Sequence, residues 1–207
     1  MKVAVVNYGM GNLGSVRRAF EDLGAEVSIA EHPAALYQAQ RVVLPGVGAF
    51  GEGMARLRAG GWVDELRKLA TEGKRPLLGI CLGMQMLATR GEEGGINEGL
   101  GLVEGTIRRL DTLGCTLRIP HVGWNDIVFA EEDPLFASIP QHSDFYFVHS
   151  FAFDASFEAD VTARVTYDVS VVAAVRSHNV FGTQFHPEKS SKAGRQILRN
   201  FLDFRPC

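Results

Sequence analysis

The apolar positions fall into two rhythms that alternate through the first half of the chain. Lys2–Val6 is a short continuous apolar run, the pattern of a strand covered on both faces. Over residues 15–23 the spacing becomes helical, with Val16, Ala19, Phe20 and Leu23 on one side and Gly24 at the stop. Glu26–Ala30 and residues 41–44 read as the next strands, the second running into Pro45-Gly46-Val47-Gly48. Trp62–Thr71 is helical, and residues 76–80 form a fourth strand that leads straight into Cys81. Strand and helix in repeated alternation build a parallel sheet with helices on both faces.

After Gly91 the rhythm is lost. Residues 91–101 are rich in Gly and Glu and predict a mobile loop. Strand-like runs follow at 101–110, 116–121, 145–153, Val161–Tyr167, 171–177 and 180–185, and predict an antiparallel extension of the same sheet. Residues 193–204 close the chain as an amphipathic helix with Ile197, Leu198, Phe201 and Leu202 inward. The expected fold is α/β, an open and mostly parallel sheet flanked by helices, in one domain over residues 1–207.

Composition narrows the function. With 46% of 207 residues hydrophobic, the chain can bury one full core. The net charge is −3 and the basic residues are scattered, with only pairs such as Arg17-Arg18 and Arg108-Arg109. A nucleic-acid binder would carry a basic stripe, so that class is set aside. The three cysteines, Cys81, Cys115 and Cys207, are odd in number and show no CxxC spacing. That argues against a disulfide framework or a zinc cage and fits a reducing compartment. The chain opens on a strand rather than a signal peptide, and no apolar run is long enough for a membrane span. A cytoplasmic protein without metal or cofactor is expected.

Three motifs carry chemistry. Gly79-Ile80-Cys81-Leu82-Gly83 lies between an apolar strand and a helical stretch, in the pattern glycine, any residue, nucleophile, any residue, glycine. Glycines must flank so tight a turn, and the central side chain then projects freely. A helix starting near Leu82 adds backbone N–H groups and a positive dipole end, both of which favour a thiolate. In Phe185-His186-Pro187-Glu188, an extended backbone sets His186 and Glu188 on the same side, so the carboxylate can hold one ring nitrogen while the other faces a thiol. Pro45-Gly46-Val47-Gly48 ends a central strand, where backbone N–H groups can serve an oxyanion. Taken singly, each motif also has a bland reading: a buried cysteine, a structural histidine, a plain turn.

In this order the three motifs resemble the class I (triad) glutamine amidotransferases, a flavodoxin-like α/β family, and the likeness runs from the first strand to near the last helix. Narrower features are Asn7-Tyr8-Gly9-Met10-Gly11-Asn12-Leu13, His121-Val122-Gly123-Trp124-Asn125, residues 146–151 and Lys189-Ser190. These are most similar to the members that act as the glutaminase subunit of a two-part synthase in histidine biosynthesis. The resemblance implies that Cys81 attacks the side-chain amide of L-glutamine to form a thioester, with His186 shuttling protons and Glu188 orienting it. It further implies oxyanion donors at Val47 and Leu82, and glutamine contacts at Gly48, Gln85, His149, Ser150 and Phe151. Asn12, Trp124 and Lys189 would face the partner, a (β/α)8 cyclase that receives the ammonia and completes a heterodimer.

Other readings compete. Another triad glutaminase, of the pyridoxal phosphate synthase type, or a γ-glutamyl hydrolase would share the three motifs, but residues 121–125 and Lys189-Ser190 favour the first reading. A non-catalytic interaction module would not need Cys81, His186 and Glu188 together. Gly9-Met10-Gly11-Asn12-Leu13-Gly14 imitates a dinucleotide-binding turn, although Asn7-Tyr8 lengthens it before the first glycine. His32, His142 and His178 read as surface residues, and His121 and His149 as packing or backbone-bonding residues.

Overall fold

The computed structural model describes residues 1–205, so Cys207 lies outside the described residues. The parallel half comes first: β1 (Lys2–Val6), α1 (Leu13–Glu21), β2 (Glu26–Ala30), β3 (Arg41–Gly46), α2 (Phe50–Ala59), α3 (Trp62–Thr71) and β4 (Leu77–Cys81). A single-turn helix, α4 (Leu82–Gln85), follows the nucleophile candidate directly. Then come β5 (Arg90–Gly91), β6 (Asn97–Glu98), β7 (Gly105–Arg109), β8 (His121–Phe129), β9 (Asp144–His149) and β10 (Phe151–Ala155). The last elements are β11 (Val161–Tyr167), β12 (Val169–Ser177), β13 (Val180–Thr183) and α5 (Ser191–Asp203).

Nine strands make the main sheet in the order β2-β1-β3-β4-β13-β12-β11-β8-β9. Pairing is parallel from β2 to β13 and antiparallel from β13 to β9. The period of two along β1 divides the core. Val3 and Val5 join Phe20 of α1 and Phe201 of α5 on one face, while Ala4 and Val6 join Leu57 of α2 and Leu66 of α3 on the other. Arg41, at the start of β3, is buried and donates to the carbonyls of Phe201, Leu202 and Phe204, satisfying α5 at its C-terminal end. Among the described residues no helix is long and apolar enough to cross a membrane.

Several expectations need correction. The extension is not one sheet, because β7 and β10 leave it to join β5 and β6 in a separate four-stranded sheet. The run 145–153 is broken at Ser150, where the chain passes from β9 in the main sheet to β10 in the second. The predicted strand at 116–121 starts only at its last residue, His121, and runs on to Phe129; Leu117 and Arg118 before it are exposed. The predicted loop at 91–101 contains the β5–β6 pairing, and Glu93 within it accepts a hydrogen bond from Phe50 N–H at 2.7 Å. Helix α2 had no counterpart in the sequence reading. Gly51 and Gly53 mask its Phe50, Met54, Leu57 spacing, yet Gly53 is what admits α4, since a Cβ there would sit 2.8 Å from Met86 Sδ.

Candidate active site

The site lies beyond the C-terminal ends of β3, β4 and β13, the edge at which parallel α/β sheets place their ligands. Cys81 closes β4 in a sharp reversal, with φ 54° and ψ −110°. For a residue with a side chain this conformation costs about 1–3 kcal/mol and persists only where the surroundings impose it. They do so by crowding: a Cβ on Gly83 would stand 1.8 Å from the Leu44 carbonyl oxygen, and one on Gly79 2.6 Å from that of Gly83. Both flanking glycines are therefore required by space.

After β13 the chain presents Gln184, His186 and, from the 3-10 turn Pro187–Lys189, Glu188. His186 Nδ1 and Glu188 Oε1 are 2.8 Å apart, with both side chains almost wholly buried. His186 Nε2 is also buried and has no hydrogen-bond partner among the described residues. Burial alone would lower the histidine pKa, but the Cys81 and Glu188 side chains outweigh it and push it up to about 9. The ring is thus favoured as an imidazolium, a proton donor, between the Glu188 carboxylate and the Cys81 sulfur.

A cavity of about 240 Å³ opens in front of Cys81, smaller than the ~300–1,000 Å³ usual for drug-sized ligands and suited to one amino acid. Its walls include Val47, Gly48, Cys81, Leu82, Gln85, His149, Ser150, Phe151 and His186, while Glu188 stands behind His186. Larger depressions, of about 490 Å³ beside Asp133 and about 570 Å³ beside Asn179, contain no thiol. Glu93 and Pro120 also line the cavity and were missed in the sequence. Glu93 lay in a stretch read as a loop, and no pattern in the sequence pointed to it.

Gln85 reaches the cavity from α4. Its Nε2 donates to the Phe151 carbonyl and to Gln184 Oε1, both at 2.9 Å. Only its Oε1 remains for a ligand, so it can accept hydrogen bonds there but not donate them. His149 Nδ1 lies 2.9 Å from the same Phe151 carbonyl and donates to it, while its Nε2 lies 3.1 Å from His121 Nδ1. Burial pushes His121 down to about 4 and His149 to about 3, so this couple is neutral.

At the turn after β3, Gly48 has φ +126°, which a residue with a Cβ rarely adopts. Val42 N–H donates to the Pro76 carbonyl, and partners in a parallel ladder alternate by twos. The ladder runs on to the Gly46–Cys81 pair, which sets the turn carrying Val47 and Gly48 beside Leu82 at the cavity. Tyr8 Oη, buried and without a hydrogen-bond partner among the described residues, packs over Gly46. Gly11 of the dinucleotide-like turn serves this packing, fitting against the backbone of Pro45 and Gly46.

Two of the interface candidates, Trp124 and Lys189, meet around one ring, that of Tyr146. Trp124 is exposed on β8 with its ring 6.1 Å from that of Tyr146, and Lys189 Nζ stands 5.9 Å from the centre of the Tyr146 ring. Asn12 caps α1, accepting from Ser15 N–H. His32, His142 and His178 are exposed. Cys115 is buried in the core and contributes nothing to the cavity walls.

Residues 4–204 match the family model for class-I glutamine amidotransferases, and the chain belongs to that family. It is 44% identical over 199 residues to the imidazole glycerol phosphate synthase subunit HisH of Moorella thermoacetica, covering 96% of this chain and 93% of that protein. It is 44% identical to subunit HisH 1 of Campylobacter jejuni, over 96% of this chain and 98% of that protein. With the subunit HisH of Geobacter sulfurreducens it shares 41% over 99% of both chains. Among solved structures, PurLQS from Thermotoga maritima has the same fold at 22% identity, with a TM-score of 0.78 over 98% of this chain and 97% of that one.

Proposed function

We propose that this protein is the glutaminase subunit of an imidazole glycerol phosphate synthase, with Cys81, His186 and Glu188 as its catalytic residues. The observation that carries the chemistry is the buried His186–Glu188 couple facing a strained cysteine at the mouth of an amino-acid-sized cavity. The particular synthase rests on relatives at 41–44% identity that span nearly their full lengths.

The Cys81 thiolate attacks the amide carbon of glutamine, and negative charge develops on the amide oxygen. Leu82 N–H and Val47 N–H, both on the cavity wall, receive that charge. The His186 imidazolium gives its proton to the departing nitrogen, so ammonia leaves and a thioester remains. Neutral His186 then takes a proton from water, which attacks the thioester and releases glutamate and the thiol. Glu188 holds the ring throughout and balances its charge. Gln85 Oε1 and the Glu93 carboxylate are the acceptors that suit the α-ammonium group, and backbone at His149, Ser150 and Phe151 completes the wall with Gly48. The ammonia passes to a (β/α)8 cyclase subunit, which Asn12, Trp124 and Lys189 would contact.

Glutamine turnover measured alone, with cyclase, and with cyclase plus its nucleotide ligand tests this reading. Stimulation by the liganded partner is expected, and Cys81→Ala should lower the stimulated rate by on the order of 10⁴-fold or more while partner binding persists. Retained ammonia release in Cys81→Ala would remove the assignment.

A further inference from the structure

We propose that Gln184 is a catalytic hydrogen-bond donor, held by a one-directional chain of hydrogen bonds so that its amide N–H faces the Cys81 sulfur and stabilises the thiolate. The inference rests on the reading of Cys81 as nucleophile, and it adds a residue to that site.

Gln184 is completely buried, in the segment between β13 and His186. Its Nε2 stands 3.7 Å from Cys81 Sγ, a hydrogen-bond distance to sulfur. The orientation of the amide follows from its neighbours. The Phe151 carbonyl can only accept, so Gln85 must turn its NH2 group toward it. The same NH2 group meets Gln184 at 2.9 Å, so Gln184 must present its oxygen there. Its own NH2 then has one direction left, toward the sulfur. His149 Nδ1–H reinforces the Phe151 end, and His121 Nδ1–H occupies the far nitrogen of His149. Neither ring takes a proton near neutral pH, so the sense of the chain does not reverse.

The sulfur has one further backbone neighbour, the Val148 carbonyl at 3.8 Å. That oxygen suits the protonated thiol, which can donate to it. Once the proton leaves, sulfur and oxygen repel, and the Gln184 N–H is the contact that gains strength. A hydrogen bond made to the charged form of an acid favours that form. His186 and Tyr8 are the titratable groups coupled to the sulfur, and His149 and Glu93 stand across the cavity. Among the described residues none of these four bonds to the Gln184 side chain, whose partners are Gln85 and Cys81.

The test is the pH dependence of Cys81 alkylation by iodoacetamide in the full chain, read by mass spectrometry of the Cys81 peptide. Gln184→Met, which removes only the donor, should move the profile to higher pH and slow alkylation near neutral pH by about tenfold or more, the worth of a hydrogen bond to a charged group. Gln184→Glu, which also sets a carboxylate beside the sulfur, should move it further in the same direction. Gln85→Leu, which releases the Gln184 oxygen and lets the amide turn, should give a smaller displacement than Gln184→Met. A space-filling role would lower the thermal transition and leave the profile in place, so unchanged profiles in these variants would overturn the proposal. Should the variants not fold, the side-chain amide resonance of Gln184 in the unaltered protein must shift as the thiol titrates, and a resonance that stays still is equally fatal. Glutaminase loss in Cys81→Ala tests the nucleophile separately, so the two ideas can fail independently.

Discussion

Two histidine couples approach the same small cavity, and their chemistry runs in opposite directions. His186 meets a carboxylate and a thiol and is raised to about 9, whereas His149 meets another histidine and a carbonyl and falls to about 3. Both rings are buried, so burial cannot account for the difference. The sign of the neighbours does. A negative partner turns a buried ring into a proton donor; neutral and like-signed partners turn it into a rigid, directional spacer.

The two couples also make opposite contributions to stability across pH. His186 is raised above its ordinary 6.5, so its contribution is fully present below about 6.5 and is lost as pH rises through about 9. His121 and His149 are depressed, so theirs is present above 6.5 and is lost as pH falls through about 4 and 3. Breaking the charged couple should have the larger consequence. Glu188→Gln is expected to lower stimulated turnover by roughly 10²–10⁴-fold, since the ring loses both its orientation and its counter-charge. The alkaline limb of the rate profile should retreat from about 9 toward 6.5, because one of the groups raising His186 is gone. A limb that stays at about 9 would show that Glu188 does not hold the proton on the ring.

Breaking the neutral couple should act mainly on stability. In His121→Phe the ring can still stack on Phe147 and Tyr167, whose centroids lie 4.8 and 4.0 Å away, but His149 loses its donor. The expected loss is about 1–3 kcal/mol of unfolding free energy at neutral pH, with a smaller further loss on acidification than in the parent. Equal acid sensitivity in both proteins would contradict the neutral state assigned to the pair. The smallest effect is expected from Cys115→Ser, a buried thiol that is not part of the cavity wall. Its glutamine turnover should match the parent, and an electrophilic glutamine analogue should label Cys81 in both.

The parts of this site that were legible in the sequence are those whose spacing is local. Cys81 between its glycines and His186 two residues before Glu188 need only a turn and an extended backbone to make sense. Leu77–Cys81, Trp62–Thr71 and Ser191–Asp203 were legible too, give or take a residue or two, because each shows its burial pattern without interruption. What escaped was set by contacts distant in sequence. Helix α2 is disguised by Gly53, whose reason lies in Met86. The long strand β8 is disguised because Gly123 and Asn125 occupy positions where an apolar alternation would have shown it. The break at Ser150 follows from which strands β9 and β10 pair with, and no local pattern marks it. Gln184 was passed over as one more residue of an apolar run, although its side chain meets Gln85 from 99 positions away.

The position of β13 has a consequence for how the protein comes into being. This strand sits inside the sheet between β4 and β12, yet it is made only after all of β5 to β12, and the residues that follow it carry His186 and Glu188. Until it arrives, β4 has an open edge and Cys81 has no base beside it. With the roles proposed for Cys81 and His186, closure of the sheet and chemical competence come in one event, across a sequence separation that makes this among the slower contacts to form. A chain still emerging from the ribosome, or one stalled before residue 180, holds its thiol beside no imidazole and leaves glutamine untouched.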